Sequence, residues 1–376
     1  MLIKSIIKLL ILAFSPTFIK KAEVKPKTIL IIRLDGFGDY IIFRNYLYWL
    51  TQNAKYSGYS ITLVGNIIWK EFAEYFDKDI VNNFIWVDRN QFIKNFNYRK
   101  SKLQEICKLG YEIVLYPTHL RETMFGDSIA KAVSSPTKIA SQGDEKYRFG
   151  LENKITNKIY TDIISANNKI LFEFDRINEF FANWQQHPIN NIKLELKYNN
   201  KAIFTFDYVV FFIGASSSNR KWPISHFITL AQMIYETYNI KIIFCGPHED
   251  ANLVKQNYYN DHRCYLINMV GKTSQIDLIN ILKYAKFVVS NETVVPHLCI
   301  ALDTCVFVIY NGNNFKRFTP YPKHITNKYY AINHPKIDEN PVWYTDISNK
   351  NNYTSKLKME EISVEMVYNK ILRNYL

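Results

Sequence analysis

"IIRLDGFGDYII", residues 31 to 42, joins an apolar strand to an apolar helix through two glycines and an aspartate. The isoleucines suit a buried strand, and Gly36 and Gly38 permit a tight turn with close backbone approach. Asp39 falls where the helix begins. Open α/β sheets place their ligands at the carboxyl ends of strands, which makes this loop the first candidate site. A dinucleotide fingerprint, Gly-x-Gly-x-x-Gly, would need a small residue where Ile41 stands, and this demotes a nicotinamide-dependent oxidoreductase. Two roles stay open for Asp39: a carboxylate that caps the helix, or a general base that takes a proton from a hydroxyl nucleophile.

From Thr28 strands alternate with helices. "TILIIRL" is followed by a helix through "FRNYLYWLTQNA", then "SITLVG", the helical "WKEFAEYF", "NFIWVD", a helix around "SKLQEICKLG" ending on a capping glycine, and "YEIVLYP". This rhythm predicts a parallel sheet with crossover helices. After "FEFDRINEFFANW" comes a stretch rich in Asn and Lys, with the composition of an interdomain connection, and the rhythm restarts at "YVVFFIG". The expected organisation is an α/β domain over 28–185, a linker over 186–206 and a second α/β domain over 207–350, facing each other across a cleft. Residues 351–376 contain a last helix, "MEEISVEMVYNKIL", expected to pack back across the junction.

The chain has 376 residues, 48% of them hydrophobic and 15% aromatic, which is ample for one or two packed cores and argues against disorder. Its five cysteines are scattered without a CxxC pair and read as buried thiols in a reducing compartment. Neither they nor the eight histidines fall at metal-ligand spacing, and Asp77 and Asp79, which resemble an acidic metal motif, follow an aromatic helix and flank a lysine. No metal site is expected. A formal net charge of +13 implies an anionic partner. Nucleic acid is disfavoured, because the basic residues are spread along the chain and no recognition helix or RNA-binding signature is present. Residues 1–27 stand apart: an apolar run broken by Lys4 and Lys8, stopped at Pro16, then Lys20, Lys21, Lys25 and Lys27. The run is too short and too charged for an ordinary span. The leading reading is an amphipathic helix on an anionic membrane surface; the rivals are a helix packed on the protein itself and a cleaved signal.

Two stretches of the second half carry chemistry. In "GASSSNRKWP", a strand ends in a glycine, a run of hydroxyls, two cations and a helix. Ser216 and Ser217, with backbone N–H groups, can donate to phosphate oxygens, and Arg220 or Lys221 can neutralise the charge; the bland alternative is a solvated helix cap. In "VVSNETVVPHLCIAL", Glu292 and Thr293 precede a helix whose first turn holds His297. The carboxylate could accept bonds from sugar or ribose hydroxyls, or both residues could merely cap.

Together these stretches resemble glycosyltransferase family 9, the lipopolysaccharide heptosyltransferases. "ILIIRLDGFGDYII", "GASSSNRKWPISHFITLA" and "NMVGKTSQIDLINILKYAKFVVSNETVVPHLCIAL" follow in the family's order, and the similarity runs from about Thr28 to Tyr321. The resemblance implies the GT-B architecture, two Rossmann-like parallel-sheet domains with the acceptor on the amino-terminal side and the nucleotide-sugar on the carboxyl-terminal side. It also implies an inverting, metal-independent transfer of heptose or a related sugar to a bacterial surface glycan such as lipopolysaccharide core. No cofactor is then needed beyond the nucleotide-sugar co-substrate, for which ADP-heptose is the candidate; the acceptor is a glycolipid or oligosaccharide. The place of work is the cytoplasm, peripherally on the inner face of the bacterial inner membrane. Asp39 matches the general base, with Gly36 and Gly38 in its loop. Ser216, Ser217, Arg220, Lys221, Glu292, Thr293, Val294 and His297 fall in the donor-binding motifs. Arg220 stands where the family usually has lysine. Where the family has Asp, then Ser or Thr, then Gly, this chain has Glu292, Thr293 and Val294. That departure leaves a second function class open, a non-catalytic sugar-nucleotide or glycan-binding relative with a degenerate donor site.

Overall fold

The computed structural model describes residues 2–14, 19–20, 22–144, 150–190, 192–258 and 264–375. Pro16 and Lys21 lie outside the described residues, as does the side chain of Lys4. The chain divides into two compact units, Met1–Lys169 with Glu173–Ile192, and Ile170–Phe172 with Lys193–Leu376.

In the first unit, β1 (Thr28–Arg33), β2 (Ser60–Asn66), β3 (Asn83–Val87), β4 (Ile113–Tyr116), β5 (Thr137–Ser141) and β6 (Asp162–Ile164) form one parallel sheet in the order β3-β2-β1-β4-β5-β6. β1 takes the centre because Ile29, Leu30, Ile31 and Ile32 form an unbroken apolar run that can be covered on both faces, and all four are fully buried. In the second unit, β7 (Tyr208–Phe212), β8 (Lys241–Cys245), β9 (Leu266–Asn268), β10 (Val288–Asn291), β11 (Val306–Tyr310) and β12 (Tyr329–Asn333) are parallel in the order β12-β11-β10-β7-β8-β9. The two orders are the same winding. In each sheet the first strand pairs with the second on one side and the fourth on the other, so the winding reverses between β1 and β4, and between β7 and β10. A parallel sheet of this kind opens its ligand crevice at that reversal.

The helix expected across "FRNYLYWLTQNA" starts earlier, at Phe37, and is divided at Arg44 into Phe37–Phe43 and Asn45–Gln52. The earlier start follows from Asp39, whose Oδ2 reaches back to accept the Gly36 N–H at 3.1 Å. The helix Glu173–Gln185 closes over this pair. Phe174 and Phe181 lie 5.7 and 4.8 Å from the Tyr46 ring, and Phe181 lies 6.3 Å from Phe43.

The Asn- and Lys-rich stretch before β7 contains no helix or strand among its described residues. It is nevertheless fitted to the second unit. Leu194, Leu196 and Tyr198 are buried while Lys193, Glu195 and Lys197 are exposed, the Leu196 N–H donates to the Ala301 carbonyl at 2.7 Å, and Asn280 Nδ2 donates to the Tyr198 hydroxyl at 3.0 Å. The last helix, Val364–Asn374, lays its buried stripe, Val364, Val367 and Ile371, into the second unit's core with Phe227 and Ile234 of the helix Ile224–Tyr238.

At the amino terminus the helix Leu2–Phe14 packs on the wide turn Thr123–Asp127 of the first unit. Leu12 is buried, the Ser5 hydroxyl donates to Glu152 Oε2 at 2.9 Å, and Lys8 Nζ lies 3.6 Å from Glu152 Oε1. Ile6, Leu10 and Ile11 face outward, 43%, 53% and 37% exposed. Among the described residues no helix is long and apolar enough to cross a membrane.

Candidate functional site

Both reversals of winding are lined by residues singled out from the sequence. In the first unit β1 runs into Leu34, Asp35 and the Gly36 turn. Asp39, half-buried, is the third residue of the helix Phe37–Phe43, and its Oδ2 accepts the Gly36 N–H at 3.1 Å. A Cβ on residue 36 would sit 2.9 Å from that oxygen, so glycine is what allows the carboxylate to fold back on its own loop. Asp39 is thus not the N-cap, which is Gly36; it reaches back to that residue's N–H from the third helical position, just beyond the end of β1. Gly38 lies in the first turn of the same helix.

The loop is clamped by residues that the motif did not single out. Arg33 is fully buried at the end of β1, its guanidinium 4.6 Å from the Phe43 ring centroid. Its Nη2 pairs with Asp35 Oδ2 at 3.1 Å and donates to the Asp39 carbonyl at 3.3 Å, and its Nη1 donates to the Thr118 hydroxyl at 3.2 Å. Thr118, just beyond β4, in turn donates to Asp35 Oδ2 at 3.1 Å. The Asp35 carbonyl accepts from Asn66 Nδ2 at 3.2 Å and Trp69 Nε1 at 3.4 Å. The Leu34 carbonyl accepts from Arg89 Nη1 at 2.8 Å, and Arg89 is itself paired with Glu122. Asp35 Oδ1 is buried and has no hydrogen-bond partner among the described residues. A charged residue closing an apolar strand was the available sign of Arg33; Thr118 and Arg89 come from other strand ends, which spacing cannot reveal.

In the second unit β7 runs through Ile213 and Gly214 into the loop that bears Ser216, Ser217, Arg220 and Lys221. Asn291, the last residue of β10, spans this loop: its Nδ2 donates to the Ile213 carbonyl at 2.8 Å and its Oδ1 accepts the Trp222 N–H at 3.0 Å. Gly214 is packed so closely that an added Cβ would meet Pro247 at 2.4 Å. Ser216 and Ser217 are exposed. The Ser217 hydroxyl bonds Asn219 Oδ1 at 2.6 Å and accepts from Arg220 Nε at 3.3 Å. Both cations meet carboxylates. Arg220 Nη1 pairs with Glu292 Oε2 at 2.9 Å, and Lys221 Nζ with the buried Asp250 at 2.5 Å. Asn314, in left-handed backbone at φ 52°, donates its Nδ2 to Glu292 Oε1 at 3.2 Å. Burial raises the Glu292 carboxyl above its ordinary value, opposed by the Arg220 charge and by both hydrogen bonds.

Thr293 precedes the helix Val294–Ala301 in extended conformation, and its side chain makes no capping bond. Val294, partly buried, is that helix's first residue. His297, one turn in, is buried with Nδ1 2.6 Å from the Tyr321 hydroxyl, and burial lowers it to about 3, so the ring is neutral at physiological pH. Asp77 is buried, paired with Arg44 at 2.6 Å and accepting the Tyr40 hydroxyl at 2.7 Å, which gives it a structural role; Asp79 is exposed. Among the described residues no three acidic, His or Cys side chains gather as a metal site.

Residues 104–340 match the family described as glycosyltransferase family 9 (heptosyltransferase). No curated protein matches the chain. Among solved structures it resembles the glycosyl transferase family 9 from Veillonella parvula DSM 2008, at 17% identity over 95% of this chain and 99% of that one, with a TM-score of 0.71. It also resembles E. coli heptosyltransferase WaaC with ADP, at 16% identity over 92% and 99% and a TM-score of 0.69. E. coli ADP-heptose lps heptosyltransferase II follows at 15% identity over 93% and 98% and a TM-score of 0.64. These likenesses are of fold, the GT-B architecture built from two Rossmann-like sheets. The family match covers most of the chain, including the loops after β4, β7 and β10, and on that ground the chain belongs to glycosyltransferase family 9, the heptosyltransferases, whose activity is glycosyl transfer.

Proposed function

We propose that the protein moves a heptose or related sugar from a nucleotide-diphosphate donor, ADP-heptose first among candidates, to a bacterial surface glycan such as lipopolysaccharide core. The transfer inverts the anomeric centre and uses no metal ion. In this reading Asp39 takes the proton of the acceptor hydroxyl as its oxygen bonds to the anomeric carbon, and the bond from that carbon to the diphosphate oxygen breaks. Arg220, Lys221 and helix amino ends meet the charge on the leaving diphosphate. The observation that carries the reading is Asp39 itself, a half-buried carboxylate at the winding reversal of the first sheet in a loop clamped by Arg33, Asn66, Trp69 and Arg89. The donor class is supported by E. coli WaaC, solved with ADP and with ADP-2-deoxy-2-fluoro heptose.

Attachment to the inner face of the cytoplasmic membrane belongs to the same proposal. Stable peripheral binding takes two signals, and the outward Ile6, Leu10 and Ile11 with the exposed Lys20, Lys25 and Lys27 supply an apolar and a basic one. The rival reading, a relative that binds sugar nucleotides without turnover, is favoured by Val294 alone. The deciding assay incubates the purified protein with ADP-heptose and a heptose-free lipopolysaccharide core and measures ADP release and glycan mass. Release of ADP coupled to a one-sugar mass gain is expected. Binding of ADP-heptose without product from this or a panel of other nucleotide-sugars would establish the rival.

A further inference from the structure

Glu292 is buried and both its oxygens are engaged, Oε2 by Arg220 Nη1 at 2.9 Å and Oε1 by Asn314 Nδ2 at 3.2 Å. Arg220 is held a second time, since its Nε donates to Ser217 Oγ at 3.3 Å. Its Nη2 has no partner among the described residues and is not sealed from solvent. A guanidinium is planar, so two fixed N–H directions fix the third. The outcome is a rigid cationic edge beside the exposed hydroxyls of Ser216 and Ser217, at the strand ends where a parallel sheet receives its ligand.

We propose that Glu292 is a positioning residue: with Asn314 it sets the Arg220 fork so that Nη2 meets the diphosphate of the donor, and it does not itself accept hydroxyls of the transferred sugar. This rests on the donor-site reading above. Asn314 suits its part because asparagine tolerates left-handed backbone, and that conformation delivers its amide to Oε1. With a donor already on each oxygen and the side chain buried, Glu292 is the base of the arrangement and Arg220 its working end. An ordered cation loses little freedom when the anion arrives, so the pair contributes to diphosphate affinity through preorganisation.

Calorimetric titration of wild type, Glu292→Gln, Arg220→Lys and the double variant with ADP and with ADP-heptose tests this. Glu292→Gln is expected to lose about tenfold in affinity for ADP and ADP-heptose alike, the scale of a misplaced charge-assisted hydrogen bond. Arg220→Lys is expected to lose a similar factor, and the double variant little more than either. A loss confined to ADP-heptose, or losses that multiply in the double variant, would overturn the proposal, because the carboxylate would then be reading the sugar. Should Glu292→Gln fail to fold, Asn314→Ala reads the same arrangement from its other side. It is expected to weaken both ligands equally and to a smaller degree, and a loss for ADP-heptose alone would again be contrary. Wild type binding neither ADP nor ADP-heptose would instead remove the donor-site reading, and the inference with it.

Discussion

Asp39 combines two jobs that one substitution separates. Asn at this position keeps an oxygen for the Gly36 N–H but cannot take a proton. Asp39→Asn is therefore expected to melt with the wild type while turnover falls at least about a hundredfold, and Asp39→Ala to lose about 1 kcal/mol of stability as well. Wild-type turnover in the Asn variant would remove the base assignment. Val294 presents a β-branched side chain at the first position of its helix, so Val294→Gly is expected to bring the backbone closer to phosphate and tighten ADP. Weaker binding on titration would mean that valine is shaped to the native donor. His297 gives a pH signature. Folded, its ring is lowered to about 3; unfolded, it titrates near 6.5, so as the medium acidifies the unfolded chain takes up the proton first. This part of the stability is complete above about pH 6.5 and is lost progressively as pH falls toward 3. Urea midpoints between pH 7 and 4 should slope less in His297→Gln than in wild type, and equal slopes would refute a neutral buried imidazole. At this scale the sequence showed which residues carry chemistry but not their partners. Arg220 and Glu292, each named from its own motif, turn out to be bonded to one another across 72 positions, and Asp250 and Asn314 carried no local sign at all.

Among the elements, those with a clear apolar run or period were legible: the helix Ile224–Tyr238 and the strands β1, β2, β7 and β10 stand where apolar patterning put them. The strands β5 and β6 at one side of the first sheet, "TKIAS" and "DII", offered no comparable apolar run. The strap before β7 was hidden by its composition, although Leu194, Leu196 and Tyr198 alternate with charges as an extended segment with one covered face should. The amino-terminal helix is packed on the first unit through Ser5 and Leu12 and leaves Ile6, Leu10 and Ile11 on its outward side. Deleting residues 2 to 21 is expected to abolish sedimentation with anionic vesicles while ADP binding persists, because the proposed donor loops lie in the other unit. Failure of the full-length protein to bind such vesicles would end the idea of membrane attachment.

At the scale of the whole molecule, two sheets share one winding, and alternation in the sequence announced the parallel sheets without fixing their strand order. If arginine, lysine and helix ends suffice for the diphosphate, EDTA should leave sugar transfer unchanged; loss of activity restored by magnesium or manganese would show that a cation is required. The helix Glu173–Gln185 has a further consequence, for synthesis on the ribosome. It supplies the Phe174 and Phe181 rings that cover Tyr46 and Phe43, and Phe43 ends the helix that bears Asp39. The amino-terminal unit folds first as the chain emerges, yet this cover is made more than a hundred residues after what it covers. Asp39 is thus translated well before the helix that fastens its own, and a nascent chain halted before residue 173 would hold a formed β1 beside an unfastened Asp39 helix.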